Sequence, residues 1–308
     1  MPRCLVALLA IATLAASAAP LCAQSVDSAS VAYSASECPS CAEWNAPARP
    51  VHLYGSTYYV GTRGLGAILL TSPAGHVLID AGLPESAALV MANIRALGFR
   101  VEDIHLILSS HAHFDHAGGI AAVQRASGAR VAASPASAAV LTRGTAGPDD
   151  PQYDVALAYP AVTDTVIREL ADADTLRVGS MVLTAHFTPG HTRGGTTWSW
   201  RECEAKECLD FVYADSQTPV SADGFLFTRN ASYPTVLQDF ARSQAVLEQL
   251  SCDVLLTPHP GASRMWERLE ARERGDASAL RDPEACRRYA ATAREHLARR
   301  VGEERKGR

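Results

Sequence analysis

Apolar and polar positions along the chain predict two stretches with the same order of elements. In the first stretch, short apolar runs bounded by turn residues predict strands, and apolar residues spaced three or four apart predict helices. Strands are predicted over residues 51–60, 66–70, 76–79, 104–108 and 130–133, and helices over 84–97, over 117–126 and after Pro135. Residues 144–164 have little periodicity and are predicted to form a long loop, a kind of segment that is often functional.

The second stretch repeats this order. Strands are predicted over residues 175–178, 181–187, 196–200, 209–213 and 253–256, and helices over 234–250, 265–274 and 283–300. A strand meander followed by a helix and a strand, occurring twice, is typical of two sheets packed face to face with helices outside. We therefore expect an α/β fold, a four-layer αββα sandwich of two similar halves over roughly residues 50–174 and 175–300.

The first residues have the pattern of a secretory signal peptide. Arg3 supplies a positive charge, residues 4–15 are apolar, and small residues continue up to Ala23. The apolar run has 12 residues, whereas a helix needs ~20 to span the hydrocarbon core of a bilayer. We expect residues 1–23 to be removed, leaving a single domain over 24–308 that is exported to the periplasm and has no membrane contact after cleavage.

Composition and charge narrow the class of protein. Apolar residues make up 47% and charged residues 20% of the chain, which is typical of a globular protein and unlike a disordered or collagen-like one. A net charge of -5 argues against nucleic acid as a partner, because proteins that bind it concentrate basic residues against the phosphates. Lys206 and Lys306 are the only lysines. A mechanism that needs a lysine within a central motif is therefore disfavoured.

Cysteines in an exported chain are expected to pair as disulfides. Of the eight cysteines, Cys4 and Cys22 fall in the predicted signal peptide, which leaves six in the mature chain. Several connectivities are possible for six cysteines, and proximity along the chain favours three pairs. These pairs are Cys38 with Cys41, Cys203 with Cys208, and Cys252 with Cys286.

The strongest chemical signal is the segment His111-Ala112-His113-Phe114-Asp115-His116, which follows the predicted strand 104–108. In an extended chain alternate side chains point to the same side, so His111, His113 and Asp115 are expected to converge, with His116 aimed at a neighbouring position. Imidazole nitrogens and carboxylate oxygens are the ligands that catalytic zinc sites use. The segment therefore predicts metal binding.

Two further histidines lie where predicted strands end. His191 is part of Thr188-Pro189-Gly190-His191-Thr192, and His259 is part of Leu256-Thr257-Pro258-His259-Pro260-Gly261. Because α/β folds place ligands at the carboxyl ends of strands, these two histidines are candidate partners of the first cluster. The remaining histidines lack this context and are expected at the surface or in packing: His52, His76, His105, His186 and His296.

These motifs resemble those of the metallo-β-lactamase superfamily, and within it the subclass B3 β-lactamases. The central histidine segment is similar to that of the whole superfamily, whereas Asp215-Ser216 and Pro258-His259-Pro260-Gly261-Ala262 resemble subclass B3. The resemblance covers nearly the whole mature chain. Further matching segments are Ala42-Glu43-Trp44-Asn45, Tyr58-Tyr59-Val60-Gly61-Thr62, Leu78-Ile79-Asp80-Ala81-Gly82 and Tyr213-Ala214-Asp215-Ser216.

The resemblance implies two zinc ions as cofactors. One would be held by His111, His113 and His191, and the second by Asp115, His116 and His259. Three protein ligands per metal leave positions open for water, as in catalytic zinc sites.

The reaction that the resemblance implies is zinc-dependent hydrolysis of the β-lactam amide by a metal-bound hydroxide, conferring resistance to penicillins, cephalosporins and carbapenems. Asp115 is expected both to bind zinc and to orient the hydroxide, and Asp80 to orient a ligand histidine from behind. Serine β-lactamases are excluded, because their Ser-x-x-Lys and Lys-Thr-Gly motifs need lysines that this chain lacks.

The expected partner is a small-molecule β-lactam. Where subclass B1 enzymes have a cysteine ligand and a lysine for the substrate carboxylate, this chain has Asp215-Ser216-Gln217-Thr218. Ser216 and Thr218, which alternate on one face of the chain, are therefore expected to hydrogen-bond that carboxylate. Gln152 and Tyr153 in the predicted loop are expected to line the pocket, and the protein is expected to be a monomer.

Two alternatives remain open. With a one-residue shift, Asp215 would be the bridging carboxylate of a glyoxalase-II-like or lactonase-like hydrolase, whose substrate is a thioester or a lactone. The other alternative is a non-enzymatic periplasmic zinc-binding protein, which fits the ligands but not the open coordination positions.

Overall fold

Two β-sheets lie at the centre of the protein, which a computed structural model describes over residues 33–307. The first sheet contains β1 (Val51–Tyr54), β2 (Thr57–Tyr59), β3 (Ile68–Leu70), β4 (His76–Ile79), β5 (Ile104–Leu108), β6 (Arg130–Ala133) and β7 (Arg168–Glu169), in that spatial order. The second contains β8 (Thr175–Val178), β9 (Met181–Phe187), β10 (Thr196–Glu204), β11 (Glu207–Tyr213) and β12 (Val254–Leu256), in the order β12-β11-β10-β9-β8. The helices are α1 (Cys41–Trp44), α2 (Ser86–Ala96), α3 (Phe114–Ala117), α4 (Ile120–Ser127), α5 (Pro135–Arg143), α6 (Val236–Gln249), α7 (Met265–Glu273) and α8 (Ala285–Lys306).

Each sheet begins as an antiparallel meander and ends in parallel strands. Strands β1 to β4 pair antiparallel and β4 to β7 pair parallel. Likewise, β8 to β11 pair antiparallel and β11 pairs parallel with β12. Parallel strands need a crossover, and α2 and α4 provide it between β4, β5 and β6. The carboxyl ends of parallel strands lie at one edge of a sheet, so the segments that follow them meet there.

Apolar packing on three faces produces four layers. Between the sheets, buried residues of both, such as Leu108 and Trp198, form one core. On the outer face of the first sheet, Leu78 belongs to a core that includes residues of α2, α4 and α5. On the outer face of the second, Leu255 belongs to a core with residues of α6 and α8. The predicted αββα sandwich is confirmed.

Several details differ from the predicted elements. The predicted strand 51–60 is two strands, because Gly55 takes a left-handed conformation (φ +54°) in the turn between β1 and β2. The extended conformation expected through the histidine segment ends at His113, where the helix α3 begins. The helix expected from residue 117 starts at Ile120. Strand β7 has two exposed residues and therefore no apolar pattern that could predict it.

The three predicted disulfides are confirmed. Cys203 and Cys208 face each other across the β10–β11 hairpin, and Cys252 joins the segment before β12 to Cys286 of α8. The third bridge joins Cys38 to Cys41. The predicted signal peptide, residues 1–23, lies outside the described residues. Among the helices of residues 33–307, none has the length and apolar character that a membrane span requires.

Candidate metal centre

Six side chains of types that can bind a metal meet at the edge where the two sheets come together. They are His111, His113, Asp115, His116, His191 and His259. The first four follow β5, the fifth lies in the turn between β9 and β10, and the sixth follows β12. A hydrogen bond of 2.7 Å from Thr196 N at the start of β10 to Ser110 O joins the two sheets beside the site.

His111, His113 and His191 form one compact set. Their ring centroids form a nearly equilateral triangle with sides of 4.9, 4.9 and 5.0 Å. All three residues are buried, and one nitrogen of each lies within 4.8 Å of the others. A catalytic zinc site has three protein ligands, and three imidazole nitrogens at this spacing match that number and type.

Alternation in an extended chain had suggested that Asp115 lies with His111 and His113. In the structure it lies with a second set of residues instead. Because α3 turns the chain after His113, Asp115 Oδ2 lies 3.2 Å from His116 Nε2 and 3.3 Å from His259 Nε2. The ring of His116 is also 4.5 Å from that of His111, and possible ligand atoms of His111, Asp115 and His116 lie within 4.8 Å of one another. The two sets are therefore neighbours.

Buried carboxylates hold two of the histidines. The His111 Nδ1–H donates to Asp215 Oδ1 at 2.8 Å, and the His113 Nε2–H donates to Asp150 Oδ2 at 2.9 Å. Carboxylates that accept from the far nitrogen of a ligand histidine fix its tautomer and ring orientation. His111 therefore has Nε2 and His113 has Nδ1 left for a metal.

Backbone carbonyls hold two others. His191 Nδ1 lies 2.8 Å from Thr218 O, and His259 Nδ1 lies 3.2 Å from Gly64 O. Because a carbonyl can only accept, each Nδ1 carries a proton, and Nε2 is the nitrogen left to face a metal.

Asp80, which was expected to orient a ligand histidine, reaches His111 only through Ser110, whose hydroxyl lies 3.4 Å from His111 Nδ1. Asp80 Oδ1 accepts from Ser110 N at 2.7 Å, and Oδ2 accepts from Ser110 Oγ at 2.6 Å and from the Tyr213 hydroxyl at 2.9 Å. These bonds hold Asp80 in a left-handed conformation (φ +58°) that is uncommon outside glycine. Asp80 therefore fixes the residue before His111, while Asp215 contacts the imidazole itself.

Sequence reasoning missed Asp150. It lies in the 144–164 stretch, where the length of the loop was the one signal of function. Its second oxygen, Oδ1, accepts from Gln152 N at 2.8 Å. One carboxylate thus joins His113 to the loop that carries Gln152.

Burial and neighbouring charges set the protonation states. Burial, helped by the surrounding imidazoles, lowers the pKa of His111 well below its usual value and that of His191 to about 3. Burial would raise the pKa of Asp115, but His116 and His259 hold it well below its ordinary range. Burial likewise opposes protonation of His113, yet the Asp150 carboxylate raises its pKa. Neutral His111 and His191 and an ionised Asp115 are the forms that bind a metal.

An unpaired buried atom also fits a metal. His111 Nε2, the nitrogen turned away from Asp215, is buried and has no hydrogen-bond partner among the described residues. Leaving such a group unsatisfied costs free energy, and native structures rarely tolerate it without an ion or water. The residues present therefore fit a bound cation.

A cavity of about 350 Å³ opens over the centre, where His113, Asp115, His191 and His259 line it. Gln152 and Thr218 line it together with apolar side chains that include Trp44, Val155 and Val220. Ser216, in contrast, is buried at 6% exposure and does not line this cavity. Tyr153 is exposed and also lies outside the lining.

Comparison with known proteins identifies the family. The sequence profile described as "Metallo-beta-lactamase superfamily" matches residues 66–249. The solved structure of Rm3 metallo-beta-lactamase is 53% identical, with a TM-score of 0.85 over 87% of this chain and 99% of that one. MEM-A1, described as a subclass B3 metallo-beta-lactamase from a soil metagenome library, is 43% identical, with a TM-score of 0.84 over 86% of this chain and 100% of that one.

A more distant relative is a hydroxyacylglutathione hydrolase of Methylobacterium nodulans, 35% identical over 137 residues. The match spans 44% of this chain and 43% of that relative, so the chain covers less than half of its length. The sequence profile and the fold agree on the family. The chain belongs to the metallo-β-lactamase superfamily.

Proposed function

We propose that this protein is a subclass B3 metallo-β-lactamase that binds two zinc ions and hydrolyses the amide bond of β-lactam antibiotics. The observation that carries the proposal is the pair of adjacent three-residue sets, one of three imidazoles and one of Asp115, His116 and His259. Two metals a few ångströms apart are the arrangement that hydrolytic enzymes use to hold an attacking and a leaving group together.

In this proposal His111, His113 and His191 hold one zinc, and Asp115, His116 and His259 hold the other. Zinc, when bound, polarises a carbonyl and lowers the pKa of coordinated water to about 7. The chain supplies imidazoles whose orientation is fixed by Asp215, Asp150 and two carbonyls.

Asp115 orients the attacking water. Its Oδ2 faces His116 and His259, so its other oxygen is left to accept a hydrogen bond from that water. The residue keeps its negative charge at neutral pH, because those imidazoles hold its pKa well below the ordinary range. A charged acceptor makes a stronger hydrogen bond than a neutral one.

The cavity supplies the substrate contacts. Thr218 and Gln152 offer polar groups beside the centre, and Val155, Val220 and Trp44 offer apolar area to the body of the substrate. Thr218 hydrogen-bonds the substrate carboxylate through its hydroxyl. Ser216, for which the sequence suggested the same role, is buried and does not line the cavity, so the proposed carboxylate contact rests on Thr218.

One observation argues against a thioester or lactone hydrolase. That alternative needs Asp215 between the metals, whereas Asp215 Oδ1 accepts from Nδ1 of His111, the nitrogen on the far side of the imidazole from the unpaired Nε2. The two functions nevertheless use the same fold. Assays of turnover on different substrates distinguish the two functions.

The deciding experiment compares purified protein, residues 24–308, on three substrates: a chromogenic cephalosporin, a hydroxyacylglutathione thioester and an acyl homoserine lactone. We expect turnover of the cephalosporin, its loss on chelation and its return with zinc. His111→Ala should abolish it, while His186→Ala, a histidine bonded to Ser199 on β10 away from the centre, should not. Turnover of the thioester or lactone alone would support the alternative. Zinc binding without turnover of any substrate would indicate a non-enzymatic zinc protein.

We further propose that residues 1–23 direct export to the periplasm and that the remaining chain acts as a monomer. The three disulfides support this compartment, since such bonds persist in oxidising surroundings. Cell fractionation and sedimentation of the purified protein test the two statements separately.

A further inference from the structure

Residues 215–218 lie behind the metal centre and contact two of its histidines. Asp215 accepts from His111 Nδ1 through its side chain, and Thr218 accepts from His191 Nδ1 through its backbone carbonyl, each at 2.8 Å. One short segment therefore sets the orientation of two of the three imidazoles in the first set. Whatever fixes this segment also fixes those rings.

The β-sheet does not fix it. The pairing of β11 with β12 ends where Ala214 N donates to Leu256 O at 2.9 Å. Within the part of the chain that the structure describes, residues 215–221 make no backbone-to-backbone hydrogen bond. Their backbone groups need other partners, because unpaired buried amides and carbonyls are costly.

The hydroxyl of Tyr289, on α8, supplies two of these partners, and Thr197 Oγ1 supplies another by accepting from Asp215 N at 3.1 Å. The Tyr289 hydroxyl donates to Asp215 O at 3.1 Å and accepts from Gln217 N at 3.2 Å. A single phenol oxygen thus binds the segment on both sides of Ser216. A hydroxyl can do this because it is both a donor and an acceptor.

Tyr289 is itself held firmly. Cys286, one helical turn before it, is bonded to Cys252 just ahead of β12. Tyr289 packs against the buried core that contains Val212 and Ala290. The start of α8 is thereby tied to the same sheet from which residues 215–218 emerge.

We infer that Tyr289 is a positioning residue for the metal centre, acting through residues 215–218 on His111 and His191. This inference rests on the proposed role of those histidines as zinc ligands. Tyr289→Phe removes the hydroxyl and keeps the ring, so the segment loses both bonds while the packing of α8 is retained. Loosening the segment lets the two imidazoles leave the orientation that a metal needs.

The test measures zinc affinity by competition with a chromogenic chelator. Each net hydrogen bond contributes about 0.5–1.5 kcal/mol, which corresponds to a change of roughly 2- to 10-fold. We expect Tyr289→Phe to weaken zinc binding roughly 3- to 10-fold, to alter the visible spectrum of the cobalt-substituted protein, and to recover turnover at saturating zinc. The matched control is Tyr54→Phe, which removes a hydroxyl bond of 3.0 Å to Glu207 O far from the centre and should leave zinc affinity unchanged.

A purely structural role would lower the melting temperature of the metal-free protein and leave zinc affinity and the cobalt spectrum as in wild type. That result would overturn the inference. If Tyr289→Phe does not fold, amide hydrogen exchange in the wild type decides: slow exchange of Gln217 N–H supports the bond, and exchange at the rate of an open loop contradicts it. Failure of the wild type to bind zinc would instead refute the proposed function.

Discussion

Asp150→Asn isolates the contribution of one carboxylate behind the histidines that are proposed to bind zinc. Asp150 has 10% of its side chain exposed and accepts two hydrogen bonds, from His113 Nε2 at 2.9 Å and from Gln152 N at 2.8 Å. Asparagine has the same shape but only one oxygen. Whichever way the amide turns, its NH₂ group must face one of these two N–H donors. One acceptor contact is lost, and the other loses its negative charge.

The expected size of the effect follows from these contacts. Hydrogen bonds to charged groups contribute about 1.5–3 kcal/mol and neutral ones about 0.5–1.5 kcal/mol. Replacing the charged contact at His113 by a neutral one therefore costs on the order of 1 kcal/mol, and losing it costs more. Partners of metal-binding histidines typically contribute roughly 10- to 100-fold to metal affinity. We expect the zinc dissociation constant to rise within that range.

The assay titrates zinc into each variant against a competing chelator and follows cephalosporin turnover at each free zinc concentration. Asp149→Asn is the matched control, because Asp149 is the neighbouring residue, is 48% exposed and pairs with Arg193 at 3.1 Å. It should keep the wild-type zinc affinity. For Asp150→Asn, turnover should return as zinc is raised. Equal dissociation constants for the two variants would refute the reasoning that Asp150 orients His113.

Three further outcomes are expected. Elemental analysis should find two zinc ions in the wild type, and His113→Ala and His259→Ala should each remove one and lower thermal stability, since a metal bound only to the folded state stabilises it. A single zinc at saturation would contradict the two-set scheme. Thr218→Ala should raise KM for β-lactams about tenfold with zinc retained, because a hydrogen bond to a carboxylate contributes about 1.5–3 kcal/mol; an unchanged KM would remove Thr218 from the substrate contacts. Replacing Cys252 and Cys286 together by Ala opens a loop with a sequence separation of 34. The free energy of unfolding, measured with denaturant, should fall by about 3–4 kcal/mol. A fall of less than about 1 kcal/mol would argue against chain entropy as the source of the stabilisation.

Most of the fold could be predicted from the sequence, because strands and helices are indicated by local patterns of apolar residues. The apolar run at 104–108 predicted a buried strand, and β5 matches it. The two meanders appear as two sheets for the same reason: an alternating pattern must bury its apolar face. Chain proximity was also enough to pair Cys203 with Cys208, since a short hairpin brings them opposite each other.

The local conformation within the histidine segment could not be predicted from the sequence pattern. Strand alternation placed Asp115 with His111 and His113, but the helical turn α3 moves it to face His116 and His259. A helix of four residues leaves almost no periodic signal in a sequence. Its position depends on how the chain packs at the sheet edge.

Contacts distant in sequence were decided by the tertiary structure alone. Asp80 and Asp215 both follow strands, and nothing local tells which carboxylate meets His111; the observed partner is Asp215, 104 positions away. Asp150 reaches His113 from a loop without periodicity, and Tyr289 reaches residues 215–218 from α8. The sequence by itself determined the chemistry at the sheet edge, namely which side chains can bind a metal. Which groups orient them depends on distances between elements, and only packing sets those distances.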